Sequence, residues 1–302
     1  MINRNLFYFV LFTLVFSFKV AYLSAQDFDS VEIKTIKVTE NIYMLQGRGG
    51  NIGILVGKDG VLMIDDEFAP LGDKIKAAIS KISDEQIKFL INTHWHRDHT
   101  GGNEIFANSG AIIVAHENVR KRMSTQQFIK MFKRKIPPSP KAALPIVTFS
   151  KDINFYINEE EIKVLHIQNA HTDGDGVIYF KNSNVLHMGD IYFAERYPFI
   201  DLSSGGSITG VIRGVELVLS FIDENTKIIP GHGKLSNKNE LSDYLDMLKS
   251  AKLETEDLIK KGKSFQEIVD SDVLIKFDPK YGKGFLNRNK FLSIVYEDLV
   301  KN

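Results

Sequence analysis

The six residues His94-Trp95-His96-Arg97-Asp98-His99 carry four side chains able to ligate a metal. On extended chain, imidazoles at i and i+2 point to the same side, so His94 and His96 can meet one cation. The turn that follows carries Asp98 and His99 toward a neighbouring point. One loop therefore offers ligands for two metals, and Gly101-Gly102 lets the backbone turn tightly before the next helix. Farther along stand His171 in Ala170-His-Thr-Asp173, Asp190 in Met188-Gly-Asp190 and His232 in Pro230-Gly-His-Gly233, each after a short apolar run that reads as a strand. A lone histidine reads as a packed or surface residue. Here five of the eight histidines occupy such loop positions, and together they read as a ligand set converging on one rim. Two cations about 3.5–4 Å apart share a water, lower its pKa from about 15.7 toward about 7, and present hydroxide at neutral pH. Attack on a polarised carbonyl then needs no side-chain nucleophile, and Asp98 is the candidate for orienting that hydroxide and shuttling its proton.

Positioning these loops requires strands. Alternating apolar residues over 31–38, then the apolar runs 42–45, 51–56 and 61–64, give four strands before any helix, with Asp59-Gly60 supplying a hairpin turn. Helical spacing begins at Leu71 (Ile75, Ala78, Ile79, Ile82), and Phe89-Leu-Ile91 is the strand that delivers the first ligand loop. The spacing then predicts a helix over 104–107, a strand over 111–115 and a helix over 117–132, stopped by Pro137-Pro138-Ser-Pro140. Strands follow over 146–149, 153–157, 162–167, 177–180 and 185–188. After them come a helix over 208–221, a strand over 227–229 and an amphipathic helix over 241–259. Strands then helices, twice, point to two mixed sheets packed face to face with helices outside.

The motif H-x-H-x-D-H, with His171, Asp190 and His232 after it, resembles the metallo-β-lactamase superfamily; Gly49-Gly-Asn51 and Asp65 extend the match, which runs from about Ile33 to Leu248. The resemblance implies an α/β (α+β) fold, a four-layer αββα sandwich with two zinc ions at one edge. By resemblance His94, His96 and His171 hold the first zinc, while Asp98, His99 and His232 hold the second. Asp190 takes a bridging position, Asp65 is a buried acid behind the ligands, and Asn51 lies in a loop beside the site. The lactamases of this superfamily carry Cys or Ser where this chain has Asp190, whose identity is similar instead to the glyoxalase-II and lactonase branches. The implied activity is hydrolysis of an ester, thioester, lactone or cyclic amide in a small molecule. The alternatives are a true β-lactamase and a mononuclear iron enzyme resembling the persulfide dioxygenases. In the loop after Asp190, Phe193, Tyr197 and Phe199 are candidates to wall an apolar pocket and Arg196 to meet a substrate carboxylate. Asp201 and Ser207 read as structural parts of that loop, Trp95 as packing, and His116, His166 and His187 as structural.

The chain has 302 residues, 38 basic against 38 acidic, 43% hydrophobic and no cysteine. Such a balance supports a folded core. It gives no electrostatic case for nucleic acid as a partner, and the basic residues around Arg120–Arg122 and Lys130–Lys135 read as a solvated face. Without cysteine there are no disulfides or thiolate ligands, so any metal rests on His, Asp or Glu. Residues 1–25 combine Arg4, an apolar run over 6–18 and a small-residue exit at Ala25, the pattern of a cleaved secretory signal. The expectation is a secreted or periplasmic protein without stable membrane insertion after cleavage, organised as a signal peptide (1–25), a catalytic domain (26–250) and a helical C-terminal extension (251–302).

Overall fold

The computed structural model describes residues 28–301, so the expected leader lies outside the described residues. Seven strands form one sheet: β1 (Lys34–Lys37), β2 (Ile42–Gln46), β3 (Ile52–Leu55), β4 (Val61–Ile64), β5 (Ile87–Ile91), β6 (Ile112–His116) and, past a two-stranded ribbon of β7 (Gln127–Ile129) and β8 (Arg134–Ile136), β9 (Val147–Phe149). The first four pair antiparallel in sequence order, and β4-β5-β6-β9 continue parallel. The second sheet runs in chain order through β10 (Asp152–Ile157), β11 (Glu160–His166), β12 (Gly176–Phe180), β13 (Val185–His187), β14 (Lys227–Ile229) and β15 (Ser236–Asn237).

The alternation of β4 shows why four layers form. Its four residues are apolar and fully buried, because both faces are covered. Val61 and Met63 pack outward with Leu71, Ile75 and Ile79 of the helix Gly72–Ile79 and with Phe106 of the helix Asn103–Asn108. Leu62 and Ile64 face inward and meet Ile162, Val164, Ile178 and Phe180 of the second sheet. On that sheet's far side, Val177, Leu186 and Ile228 pack under Val211, Val215 and Val218 of the helix Ile208–Leu219 and Leu241 and Leu248 of the helix Lys238–Lys260. The order is helix, sheet, sheet, helix. The loops following β5, β11, β13 and β14 meet at one edge of this sandwich, where the candidate ligands converge.

One local outcome differs from the sequence reading. The helix expected over 117–132 ends at Met123: Ser124 and Thr125 turn their hydroxyls back onto the Lys121 carbonyl at 3.0 Å each, which ends the helix in a turn. The chain then reverses through Lys133 in the left-handed region (φ 49°), so β7 and β8 pair, with Ile129 and Ile136 entering the core and Phe128 and Phe132 left outside. Tertiary burial of two isoleucines overrides the helical spacing. At the C-terminal side, the helix expected over 241–259 spans Lys238–Lys260. Beyond it, Val273, Leu274, Tyr281, Leu286, Phe291, Leu292 and Val295 share one buried cluster with Tyr192, Tyr197 and Phe199 of the loop after Asp190. Among the described residues no helix is long and apolar enough to cross a membrane.

Candidate metal centre

Every expected ligand reaches the edge where the two sheets meet, in two groups: His94, His96, His171 and Asp190, and beside them Asp98, His99 and His232. His94 and His96 lie on extended chain after β5. Asp98 and His99 lie on the single helical turn Arg97–Thr100 that follows, so the two pairs face different points.

Hydrogen bonds on the outer sides of the rings fix which nitrogen faces inward. Nδ1 of His171 donates to the Phe199 carbonyl (2.7 Å) and Nε2 of His96 to the Asp201 carboxylate (3.0 Å). Nδ1 of His99 donates to Asp65 (2.7 Å). Thr93 spends its hydroxyl proton on the same Asp65 oxygen (2.7 Å), which leaves its oxygen to accept from Nδ1 of His94 (3.0 Å). Each of these four rings has its outer nitrogen committed as a donor; in His94, His96 and His171 the inner nitrogen then carries a lone pair, whereas Asp190, Asp65 and Asp98 raise His99 well above its ordinary pKa against burial, so a cation must displace a proton from its Nε2. Those lone pairs converge: Nδ1 of His96 lies 2.9 Å from Nε2 of His171, and Nε2 of His94 is buried with no hydrogen-bond partner. Two such nitrogens at this distance need a cation between them, a shared proton or a metal ion. The donor set therefore fits metal ions, and the carboxylate-backed imidazoles are of the kind that orient and strengthen ligands.

The charges agree with that fit. Burial drives the proton off His94, well below its ordinary pKa, and lowers His171 to about 4, leaving both neutral. Burial pushes Asp98 and Asp190 the other way, yet the surrounding imidazoles, His99 foremost, override it and hold both carboxylates ionised. Against burial, Asp190 raises His232 to about 9, so a cation must displace a proton there.

Asp190 joins the groups. One carboxylate oxygen lies 3.6 Å from Nε2 of His171 and 3.8 Å from Nε2 of His94, and the other lies 3.0 Å from Nε2 of His99 and 3.4 Å from Nε2 of His232. Asp98 sits on the far side of the second group, 3.4 Å from Nε2 of His232. At 29% side-chain exposure it is far more open than Asp190 at 5%.

Around the ligands, Asp65 has left-handed backbone (φ 59°) at the end of β4, which aims its carboxylate at the Thr93 amide and hydroxyl and at His99. Asn51 donates to the carbonyls of Pro230 and Gly233 and so holds the His232 loop. Gly50 lies flat against His99: a Cβ there would sit 2.1 Å from the ring. Sequence reasoning missed three contributors. Asp201, read as a loop residue, is the partner of His96. Glu67, buried and also left-handed (φ 56°), accepts from the Arg48 and Gly49 amides and shapes the loop beside the site. Asp175 accepts from the Thr172 amide and hydroxyl and so tightens the His171 loop. Ser207 caps the helix Ile208–Leu219 through the Gly210 amide.

A cavity of about 490 Å³ opens on Asp98, Asp190, His96 and His232. The four candidate substrate contacts all line it. Phe193 stacks on His232 and Phe199 on His96. Tyr197 spends its hydroxyl on Asp278 and the Leu274 carbonyl, so it contributes ring rather than hydroxyl to the wall. Trp95 also lines this cavity, and Phe285 of the C-terminal segment completes the rim. His116 and His166 stack on one another at 3.7 Å away from the ligand groups, and His187 is buried with its ring bonded to the Asn51 carbonyl.

The comparisons with known proteins agree with this geometry. A probable metallo-hydrolase of Methanocaldococcus jannaschii is 25% identical over 202 residues, 65% of this chain and 93% of that one. A hydroxyacylglutathione hydrolase of Pelagibacter ubique is 27% identical over 52% of this chain and 57% of its own. A type 2 metallo-beta-lactamase of Elizabethkingia meningoseptica is 22% identical over 78% of this chain and 92% of its own. The solved metallo-beta-lactamase from Pontibacter korlensis superposes with a TM-score of 0.59 at 19% identity, covering 72% of this chain and 99% of that one. A sec-alkylsulfatase from Pseudomonas superposes at 0.66 with 16% identity, over 90% of this chain and 51% of its own, so these structures share the fold. The family model that describes the metallo-beta-lactamase superfamily matches residues 45–250, two thirds of the sequence and all of the ligand positions; the chain belongs to that superfamily.

Proposed function

We propose that this protein is an exported hydrolase that holds two zinc ions and cleaves an ester, thioester, lactone or cyclic amide in a small molecule. The observation that carries the reading is the two-faced placement of Asp190, with one oxygen toward each histidine group. A site for one metal leaves the second group of Asp98, His99 and His232 without a purpose. Bound there, two divalent cations supply an electrophile for the carbonyl and a water acidic enough to attack at neutral pH.

The chain's own residues do the rest. Asp98 is ionised and open to the cavity, so it accepts the proton of the attacking water and passes it to the leaving group. The bond formed joins water oxygen to the carbonyl carbon, and the bond broken is the carbonyl carbon's bond to oxygen, sulfur or nitrogen. Phe193, Tyr197 and Phe199 exclude water from the cavity wall, and Phe193 and Phe199 hold His232 and His96 in place. The expected leader, residues 1–25, supports export.

The deciding experiment is metal analysis of the purified protein together with turnover of an ester, thioester, lactone and β-lactam panel, with and without chelator. The names of the relatives put thioesters and β-lactams on that panel. Two zinc ions per chain and chelator-sensitive turnover are expected. One iron per chain would overturn the dizinc reading. A chelator-sensitive kcat/KM above about 10⁴ M⁻¹s⁻¹ on cephalosporins would make antibiotic hydrolysis an evolved activity.

A further inference from the structure

The cavity over the ligands is lined by cations as well as rings. Arg97 enters it from the helical turn after His96, Arg134 from the ribbon strand β8, and Arg196 from the loop after Asp190. Among the described residues none of these three is in an ion pair. Their neighbours are paired: Arg122 binds Asp173 at 2.6 and 2.7 Å, Lys130 meets Glu297, and Lys234 meets Glu195 at 2.9 Å. Glu195 precedes Arg196 in the chain, and its left-handed backbone (φ 56°) accompanies its turn to Lys234 while Arg196 lines the cavity. The carboxylates that line the cavity, Asp98 and Asp190, face imidazoles. Three arginines thus line one partly apolar pocket, and among the described residues none of them is in an ion pair with a carboxylate of the protein.

The placement of Arg196 is built. Its stem runs over Gly284 of the C-terminal segment, where a Cβ would lie 2.9 Å from Arg196 Cβ and 3.0 Å from Cγ. The next residue, Phe285, is 66% exposed and meets Phe132 of the ribbon at 5.7 Å, and Phe132 in turn meets Phe199 at 5.1 Å. Rings and arginines line the same cavity. An apolar body gains contact with the rings, and a fixed anion gains charge-assisted hydrogen bonds from the forks.

We infer that the substrate is an organic anion: a hydrolysable carbonyl compound with an apolar body and a fixed carboxylate, sulfonate or phosphonate-type group that Arg97, Arg134 and Arg196 receive. The inference rests on the hydrolase reading above and adds the substrate class. The test compares 4-nitrophenyl hexanoate with the 4-nitrophenyl monoester of adipic acid and with esters of 6-sulfonato- and 6-phosphonohexanoic acid, on the metal-loaded protein at low salt. At least one anionic ester is expected to exceed the neutral one by tenfold or more in kcat/KM, and the best of them names the anion. The preference, read as the charged-to-neutral ratio, should collapse in R134Q and R196Q and shrink at high salt.

A second readout needs no turnover. Trp95 is the only tryptophan of the chain and lines this cavity, so its fluorescence reports occupancy. Hexane-1-sulfonate should shift it saturably, 1-hexanol should not at equal concentration, and R134Q should weaken the sulfonate response about tenfold. Hydrolysis of all the esters at equal rates would overturn the anion assignment and leave the hydrolase reading standing. Arginine-dependent sulfonate binding with no hydrolysis of any panel member would do the reverse.

Discussion

At the scale of single residues, the centre depends on which nitrogen each imidazole presents, and those outer hydrogen bonds are open to test. Asp201→Asn weakens the acceptor for Nε2 of His96 and should lower metal affinity 10–100-fold without unfolding the protein, measured by competition with a chromogenic chelator. Unchanged affinity would show that Asp201 serves only its own turn with Ser203 and Ser204. Asp98→Asn should cut kcat at least 100-fold while the group around His94 keeps its metal, and full activity would remove Asp98 as the proton carrier. Gly50→Ala places a methyl where the His99 ring lies, so metal should be lost from the second group first; on the proposed two-metal site this would be visible as a drop from two metals toward one per chain. The ligands were legible in one dimension because four of them share one loop and the others follow short strands. Asp201 was not, since it meets His96 from 105 positions away, and neither was Glu67, whose role comes from the loop it backs.

Elements tell the same story at larger size. The bounds of β4 and β14 were readable because buried strands in a sandwich are short continuous apolar runs between turns. The ribbon of β7 and β8 was hidden behind a helix-like spacing, as its pairing is decided by where Ile129 and Ile136 are buried. The C-terminal helix Arg288–Lys301 was visible as a helix, but its partner was not: Phe291, fully buried, stacks on Tyr197 at 5.1 Å, behind the cavity wall. Phe291→Ala should cost ~3–5 kcal/mol in urea unfolding and raise KM, because Tyr197 loses its backing. A stability loss with KM unchanged would mean that the wall is held without the last helix.

For the whole molecule, acid and chelation are the informative stresses. His187 is fully buried and neutral, with burial lowering it to about 4, whereas an unfolded imidazole titrates near 6.5. Its folded pKa is depressed, so its contribution is complete above pH ~6.5 and is lost as the pH falls toward about 4, worth up to ~3 kcal/mol. Urea midpoints between pH 7 and pH 4.5 should fall accordingly, and His187→Gln should flatten the dependence; an equal slope in the variant would place the acid sensitivity elsewhere. In metal-free protein His171 adds to the same slope.

The ligand set also has a mechanical meaning. His94, His96, Asp98 and His99 follow a strand of one sheet, and His171, Asp190 and His232 follow strands of the other, so bound cations would rivet the two halves of the sandwich together at one seam. A chain with no cysteine has no covalent tie of that kind. Joining points as far apart in sequence as His94 and His232 restricts the unfolded chain much as a disulfide does. Stripping the metal should therefore accelerate unfolding by orders of magnitude and let the sheets part before either one melts, an order that hydrogen exchange resolved by sheet would record.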